Sequence, residues 1–359
     1  MRSDGERVFG LLDMDAFYFS CELARRPELR GKPVVVCGSG PRAVVTTASY
    51  EARRFGIFSA TPAARARRLC PDAVFLAPDF DLYRARSAEV MAVLGDHVAD
   101  VEPMGLDEAY FDLSGIERWR AAARRLKAAV VERTGLPCSI GLGPSKLVAK
   151  VASEVGKPDG FVALTATEAR ERFAAESPAL IPGIGPKTAE RLARHGIDRL
   201  DRLAATPEAR LAELFGDRLG PQLARLARFE DDRPLQTARV RKSESRERTF
   251  DRDLRGLGEL EPVLARLARE LCDELAEHRR SGRTVGIKVR FDDFSTVTRA
   301  RTVAEPTADP ALVGAVALEL LRELAPERPV RLLGVRVAGM EGDRQGAPAP
   351  PPGQLALSL

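Results

Sequence analysis

Hydrophobic positions predict short strands and amphipathic helices over the first 165 residues. Residues 8–12 form an apolar run without alternation, which is typical of a strand buried on both faces, and residues 109–113 are a second strand candidate. The same patterns predict a strand at 33–37 and helices at 63–69, 119–133 and 145–155. Strands and helices that mix in this way indicate an α/β or α+β region.

The rest of the chain has two further patterns. Residues 166–232 are helical throughout, with short turns at 182–185, 195–196 and 216–220. After a charged connector at 233–242, the order becomes strand, helix, two strands, helix and strand. The strands are predicted near 244–250, 284–291, 296–303 and 330–338, and the helices at 259–279 and 309–324. A helical domain and a separate α+β domain are therefore expected.

Length and composition limit the class of protein. The chain has 359 residues, too many for one ordinary core, with 44% hydrophobic and 30% charged residues. Five scattered cysteines without a CxxC pair and three dispersed histidines argue against zinc and disulfides and favour the reducing cytoplasm. With no membrane-length apolar run and no signal-peptide core, neither membrane nor secretion is expected. A metal site would be built from carboxylates, which select magnesium or manganese.

Acidic side chains stand at the ends of two predicted buried strands. Asp13 and Asp15 end the first, and Asp107 and Glu108 precede another. Several converging carboxylates imply a cation, because an unpaired buried carboxylate is costly. Asp107 and Glu108 reach one site only if the chain bends, and Gly105 permits that. Each acid alone could instead cap a turn or pair with an arginine, but the set favours magnesium.

Five segments, in order, resemble the Y-family DNA polymerases, and most closely their polymerase IV (DinB) branch. They are DMDAFYFSCE (13–22), TTASYEARRFGI (46–57), GLDEAYFDL (105–113), IGLGPSKLVAKVASEVGKPDG (140–160) and IPGIGPKTAERL (181–192). The resemblance implies an α+β multidomain right hand followed by a βαββαβ little finger. The implied domains are a palm (1–21 and 81–165), fingers (22–80), a helical thumb (166–232), a linker (233–242), a little finger (243–341) and a flexible tail (342–359).

The resemblance also implies a two-metal catalytic centre. Asp13 and Asp107 match the two metal-bridging aspartates, Glu108 matches the third acidic ligand, and Met14 matches a position that lends its backbone carbonyl. Asp15 matches an acid that is not counted as a ligand. Two Mg²⁺ ions, with Mn²⁺ as a substitute, would lie about 3.5–4 Å apart.

The incoming nucleotide needs protein cations as well as metal. Tyr50 and Arg53, three apart on a predicted helix, share a face. By resemblance they hold the β- and γ-phosphates together with Thr47, and Lys157 also reaches the triphosphate. Without the motif, an arginine on a helix is usually a solvated surface group.

Aromatic residues follow the first acidic pair. By resemblance, Tyr18 is the steric gate that excludes a ribose 2′-hydroxyl, and Phe17 contributes a backbone N–H near the sugar. Ser59 and Ala60 are implied to line an open roof above the nascent base pair. The alternative, a role as core aromatics, is stronger for Phe19 than for Tyr18.

Residues 181–192 carry a helix-hairpin-helix signature. Its glycines, Gly183 and Gly185, let backbone N–H groups turn outward at a helix N-terminus, where they can bind a phosphate of any sequence. Lys187 lies in the same motif. The alternative is an ordinary tight turn between two helices.

The C-terminal domain combines an apolar and a basic strand face. Along 284–291, Val285, Ile287, Val289 and Phe291 point one way and Gly286, Lys288 and Arg290 the other. Basic pairs two residues apart recur at Arg239/Arg241, Arg246/Arg248 and Arg299/Arg301. A sheet with helices behind it and arginines in front is expected to contact DNA phosphates, although a basic face could simply be solvated.

The chain ends in a tether rich in Pro, Gly and Ala (342–353), followed by QLALSL (354–359). The last segment resembles the peptide by which bacterial polymerases bind the sliding clamp, through Gln354, Leu355 and Leu357. A floppy end is the alternative.

The resemblance favours a monomeric translesion polymerase that binds primer-template DNA and dNTP and has no proofreading. Two other classes stay open: a catalytically inactive scaffold with the same fold, and a nuclease or glycosylase that carries a helix-hairpin-helix.

Overall fold

The computed structural model describes residues 7–238 and 241–340. These residues form two compact units, each built from two stretches of the chain. The first unit contains residues 7–31 and 79–237, and the second contains residues 32–78, 238 and 241–340. Within these described ranges, no helix has both the length and the apolarity needed to span a membrane.

The strands and helices that the hydrophobic pattern predicts occur in the predicted order, and the structure adds others, such as the helix Phe80–His97 and the strand Cys138–Gly143. Up to residue 163 the elements are β1 (Phe9–Met14), α1 (Phe17–Arg25), β2 (Val34–Cys37), β3 (Val45–Ala48), α2 (Tyr50–Arg53), α3 (Ala63–Leu69), β4 (Val74–Leu76), α4 (Phe80–His97), β5 (Val101–Pro103), β6 (Glu108–Asp112), α5 (Trp119–Thr134), β7 (Cys138–Gly143), α6 (Lys146–Gly156) and β8 (Phe161–Ala163). From residue 166 onward they are α7 (Ala166–Phe173), α8 (Pro186–Arg194), α9 (Leu200–Ala205), α10 (Glu208–Phe215), α11 (Leu219–Ala227), β9 (Ser243–Leu254), α12 (Gly256–Glu277), β10 (Gly282–Phe291), β11 (Thr296–Thr307), α13 (Pro310–Leu324) and β12 (Val330–Met340). Short 3₁₀ helices occur at Pro27–Leu29 and Pro178–Leu180.

The first unit is organised around a five-stranded sheet of order β5-β6-β1-β7-β8. Strand β1 is central and buried along its whole length, as its uninterrupted apolar run predicts. Helices α4 and α5 bury Val90, Leu94, Leu126 and Val130 in the same core as Leu12 and Phe111. Helix α6 lies so close to β7 that a Cβ atom at Gly141 would be 2.1 Å from the Ala149 carbonyl oxygen. These layers fix the strand ends where the acidic residues lie.

Helices α7 to α11 complete the first unit. Their core includes Phe173, Leu192 and Leu203 and continues into Val148 and Val151 of α6. The helical pattern predicted for 166–232 agrees with these helices, while its division as a separate domain stays a prediction.

The second unit contains two sheets. A three-stranded sheet of order β3-β2-β4 packs with α2 and α3 around Val35, Ala52 and Ala66. A four-stranded antiparallel sheet of order β11-β10-β12-β9 buries one face against α12 and α13. Its βαββαβ order agrees with the prediction, although β9 and β11 run four residues farther than the predicted 250 and 303.

Candidate active site and nucleic-acid interface

The four predicted metal-binding positions lie together at one end of the first sheet. Asp13 of β1 pairs in register with Glu108 of β6, and the Met14 N–H donates to the Asp107 carbonyl oxygen at 2.9 Å. The chain bends at residues 105–107, before β6 begins at Glu108. Such a bend was expected if the side chains of Asp107 and Glu108 were to reach one site. A Cβ atom at Gly105 would lie 3.3 Å from Asp107 Oδ1, so a small residue suits this bend.

Burial and mutual repulsion perturb these carboxyl groups. Burial, followed by the negative charge of Glu108, raises the pKa of Asp13 to about 8. The same two causes raise the pKa of Asp107 to about 6. Burial also acts on Glu108, but the charge of Lys150 and hydrogen bonds from Asp13 and Lys150 outweigh it, so the pKa of Glu108 is lowered. Close acidic groups in a buried position are what a divalent cation would stabilise.

Two lysines provide the positive charges beside these acids. Lys157, which follows α6, places Nζ 2.7 Å from Asp13 Oδ2 and 3.1 Å from Glu154. Lys150 of α6 forms an ion pair with Glu108 and lies 3.7 Å from Asp13 Oδ2. Lys157 was predicted from the resemblance as a triphosphate contact and not as a partner of Asp13, and Lys150 was missed. Its signal was its place seven residues, about two helical turns, before Lys157 on an amphipathic helix.

The donor set suits a hard divalent cation, because the side chains that converge here are carboxylates and carboxylate oxygen is the preferred ligand of Mg²⁺ and Mn²⁺. The residues therefore fit the metal by the chemistry of their oxygen ligands. In the described part of the chain, however, no three His, Cys, Asp or Glu side chains are arranged so that they could hold an ion. The ammonium groups of Lys150 and Lys157 contact the acids instead.

Asp15 is buried next to this group but faces other partners. Its two carboxylate oxygens accept hydrogen bonds from Ser139 Oγ at 2.9 Å and from the Asp159 N–H at 2.7 Å. Asp159 follows Lys157 by two residues. The exclusion of Asp15 from the predicted ligand set stays a prediction, and its connection to the Lys157 loop was missed.

Aromatic residues form a buried wall beside the acids. Tyr18 is 5% exposed and stacks on Tyr83 with ring centroids 4.5 Å apart, while Phe80 approaches its edge at 5.9 Å. Burial, followed by the charge of Asp107, raises the pKa of Tyr18 to about 12. Phe17 is the first residue of α1, where its backbone N–H belongs to the first turn.

The other predicted phosphate contacts belong to the second unit. Thr47 lies in β3, and Tyr50 and Arg53 begin and end the short helix α2. The Arg53 guanidinium lies 4.6 Å from the centre of the Tyr50 ring, and its Nε donates to the Ala48 carbonyl at 3.1 Å. The predicted common face of Tyr50 and Arg53 is therefore present. Ser59 is exposed, and its hydroxyl donates to the Thr46 carbonyl.

The helix-hairpin-helix signature forms a turn before α8. Gly183 has φ of +95°, Gly185 is the N-cap of α8, and Lys187 in its first turn is exposed. Ile181 and Ile184 are buried and anchor the turn. The exposed backbone at this helix N-terminus has the geometry expected of a phosphate-binding turn.

The C-terminal sheet corrects one expectation about the arginines. Residues directly opposite each other in an antiparallel sheet share a face. Arg299 is opposite the buried Ile287, and Arg301 is opposite the buried Val285. The same holds for Arg246 and Arg248, which are opposite buried Val335 and Leu333.

These four arginines therefore lie on the helix-covered side of the sheet, and the prediction that they stand in front is wrong. Arg246 forms an ion pair with Glu274 of α12 at 2.9 Å, and Arg301 pairs with Glu319 and Glu323 of α13. A spacing of two places residues on one face of a strand, but it does not say which face.

The open face of the sheet carries Gly286, Lys288 and Arg290, as the alternation of β10 predicts. Arg336 of β12 is opposite Gly286 and is exposed. Lys288 pairs with Glu247 at 2.8 Å, and Arg290 Nε donates to Thr296. Arg241, at the start of this region, pairs with Glu244.

The clamp peptide with Gln354, Leu355 and Leu357 lies outside the described residues, as does Arg239. The connector 233–242 is not free along its length, because Leu235 packs against Leu11 and Tyr110, and the Gln236 N–H donates to Glu102 at 2.8 Å. Its first part belongs to the first unit.

Comparison with protein families identifies three regions. Residues 12–154 match the impB/mucB/samB family, and residues 241–349 match the C-terminal domain of that family. Residues 179–225 match a SAM-like helix-hairpin-helix tandem, which includes the turn at Gly183 and the later turn at 216–220. The second hairpin was predicted only as a turn.

Relatives match over nearly the whole chain. The DNA polymerase IV of Halorhodospira halophila is 44% identical over 92% of this chain and 94% of its own length. The DNA polymerase IV of Streptomyces coelicolor is 42% identical over 95% of this chain and 75% of its own. A solved Y-family DNA polymerase chimera, Dbh-Dpo4(243-245)-Dbh, has a TM-score of 0.82 and 27% identity, and the match covers 92% of this chain and 98% of that one. The chain therefore belongs to the impB/mucB/samB family, the Y-family DNA polymerases, in their DinB-like branch.

Proposed function

We propose that the chain adds deoxynucleotides to a DNA primer at a centre where Asp13, Asp107 and Glu108, with the Met14 carbonyl, hold two Mg²⁺ ions. Translesion DNA polymerase activity, its DNA and nucleotide substrates and the general use of divalent metal follow from the family. The choice of magnesium, with manganese as a substitute, and the ligand set are proposals. The observation that carries them is the meeting of these acids at one end of the sheet, with Asp13 2% exposed.

The reaction is an in-line displacement. The primer 3′-oxygen forms a bond to the α-phosphorus, and the bond from that phosphorus to the leaving pyrophosphate breaks. Bound divalent ions would stabilise negative charge on the attacking and leaving oxygens. Lys157 would then bind the triphosphate as one of its cationic contacts, and Thr47, Tyr50 and Arg53 would bind its β- and γ-phosphates.

Selection of the sugar and binding of DNA are assigned to other residues. The Tyr18 ring excludes a ribose 2′-hydroxyl, and the Phe17 N–H lies near the sugar. The turn with Gly183, Gly185 and Lys187 binds a DNA phosphate without sequence preference. In the little finger we assign backbone contacts to Lys288 and Arg290 on the open face and to Arg241 at its start, and none to Arg246, Arg248, Arg299 and Arg301 on the helix-covered side.

Extension of a primed template by the purified chain with MgCl₂ tests the catalytic set. Asp107→Ala should reduce the rate at least about 10³-fold, the scale of losing a group used in the chemical step. Asp112→Asn is the matched control, because this acid lies on the same strand, β6, but at its other end. Strand cleavage instead of extension would identify a nuclease, and an inactive parent chain would identify a scaffold.

We also propose that the monomeric chain acts in the cytoplasm and binds the sliding clamp through Gln354, Leu355 and Leu357. Leucines at the end of a Pro- and Gly-rich segment are typical of a peptide that binds a partner. Replacing these three residues by alanine should abolish clamp-stimulated synthesis and leave synthesis without clamp unchanged. Ser358→Ala, in the same peptide, is the control. Stimulation that persists in the triple variant would contradict the assignment.

A further inference from the structure

Asp15 is a buried acid next to the proposed metal ligands, yet its oxygens are already used. It is 2% exposed, and it accepts hydrogen bonds from Ser139 Oγ at 2.9 Å and from the Asp159 N–H at 2.7 Å. The Ser139 hydroxyl oxygen in turn accepts from the Gly160 N–H at 3.0 Å. Asp15 and Ser139 therefore bind two consecutive backbone N–H groups of the segment between α6 and β8.

A third side chain holds the same segment from another element. Lys127 of α5 donates from Nζ to the Asp159 carbonyl at 2.6 Å and to the Gly160 carbonyl at 3.2 Å, and it lies 2.8 Å from Asp159 Oδ1. Asp159 has φ of +54°, a conformation that a non-glycine residue adopts only when its surroundings fix it. Donors and acceptors of the same two residues are thus bound from three sides.

This segment begins with Lys157, whose Nζ lies 2.7 Å from Asp13 Oδ2. A lysine side chain has many rotamers, so the place that its ammonium group reaches depends on how firmly its backbone is held. A displacement of about 1 Å at a group that contacts the substrate can cost about 10²-fold in rate. The contacts at Asp159 and Gly160 restrict the backbone two and three residues away from Lys157.

We propose that Asp15, Ser139 and Lys127 are positioning residues, which together hold the 157–160 segment so that Lys157 reaches the triphosphate of the incoming nucleotide. The proposal rests on the proposed function, because it assigns the contact with the triphosphate to Lys157. It gives Asp15, which is not one of the proposed metal ligands, a role that acts through Lys157.

Single-nucleotide insertion by the full chain tests the positioning role of these three residues. Ser139→Ala and Lys127→Ala should each raise the KM for dNTP about five- to tenfold, the scale of one lost buried hydrogen bond, with kcat changed less than about threefold. Asp15→Ala should act in the same direction if it folds. Lys157→Met should raise KM at least as much, and adding Ser139→Ala to it should cause no further rise, because both act through one ammonium group.

Ser153→Ala is the matched control. Ser153 is a buried serine of α6, 1% exposed, whose hydroxyl has no hydrogen-bond partner among the described residues. Its loss should leave KM and kcat unchanged, and thermal unfolding of every variant reports general damage.

The outcomes separate the two ideas. A KM that does not respond to Lys157→Met contradicts the triphosphate role of Lys157 and, with it, the positioning role of Asp15, Ser139 and Lys127. If Lys157→Met raises KM but Ser139→Ala and Lys127→Ala do not, the positioning role is wrong and the role of Lys157 stands. Effects of Ser139→Ala and Lys157→Met that multiply would also contradict the positioning role, since the serine would then act independently of the lysine.

Discussion

The acidic end of the first sheet and the basic sheet of the little finger use charge in opposite ways. Asp13 is 2% exposed, and the pKa values of both Asp13 and Asp107 are raised by burial and by a neighbouring carboxylate. In the little finger, Lys288 is 31% exposed and pairs with Glu247, and Arg301 is 38% exposed and pairs with two glutamates. The first region depends on where a few groups lie, and the second depends on how many charges it carries.

The difference follows from solvent. Charges near the surface are screened, so an exposed ion pair contributes about 0–1 kcal/mol and its loss is tolerated. A buried charge interacts in a low dielectric, and moving or removing it changes the ionisation of its neighbours. We therefore expect single substitutions to have large effects at the acidic site and small, additive effects on the little finger.

The largest expected effect after loss of a metal ligand concerns Tyr18. Tyr18→Ala should reduce discrimination against ribonucleotides about 10²-fold, the scale on which a pocket of fixed shape rejects an added hydroxyl. Competing incorporation of dNTP and rNTP opposite one template base measures it. Tyr18→Phe is the control: it keeps the ring and should retain discrimination. Unchanged selectivity in Tyr18→Ala would leave this residue as a core aromatic only.

The pH dependence of folding stability tests the effect of burial on Asp13. The unfolded chain loses this proton near pH 3.8, while the folded protein keeps it up to about pH 8. The folded state therefore binds more protons between these values, and the stability that Asp13 contributes falls as pH rises through 8.

Without divalent ions, the free energy of unfolding should fall by up to about 2 kcal/mol between about pH 6.5 and pH 8, because folded Asp13 keeps a proton in this range that the unfolded chain has already lost. The corresponding fall in Tm is several degrees. Asp13→Asn should remove that slope, and Mg²⁺ should raise Tm more at pH 8 than at pH 6.5. Thermal melts in chelator and in MgCl₂ measure both. An equal slope in the parent and in Asp13→Asn would show that another group is responsible.

Sequence reasoning reached the acidic set and part of the secondary structure but not the details of their surroundings. The apolar run before Asp13 and the motif around Asp107 were sufficient to place both residues at strand ends. Lys150 was missed because its contact with Glu108 depends on how α6 packs on the sheet. The Asp15 contacts were missed because they join segments more than one hundred residues apart.

The little-finger arginines show the same limit. A spacing of two correctly implied that Arg299 and Arg301 share a face, but the face is decided by the register with β10, where their partners are the buried Ile287 and Val285. Nothing within β11 itself records that register. Pairing between strands, which involves distant residues, had to be observed.

The smallest expected effects are on the little finger, where the two faces can be compared at equal charge. Lys288→Gln with Arg290→Gln removes two cations from the open face, and Arg246→Gln with Arg301→Gln removes two that pair with helix glutamates. Because each lost phosphate contact reduces the salt dependence of log K by about 0.9, the first pair should weaken DNA binding about tenfold and lower the slope by up to about 2. The second pair should change the slope little, since these side chains already neutralise acids of their own domain. Fluorescence anisotropy with primer-template DNA over a range of KCl concentrations measures both quantities. If the second pair lowered the slope as much as the first, the arginines beside the helices would be phosphate contacts too, and the whole basic set would act as one surface.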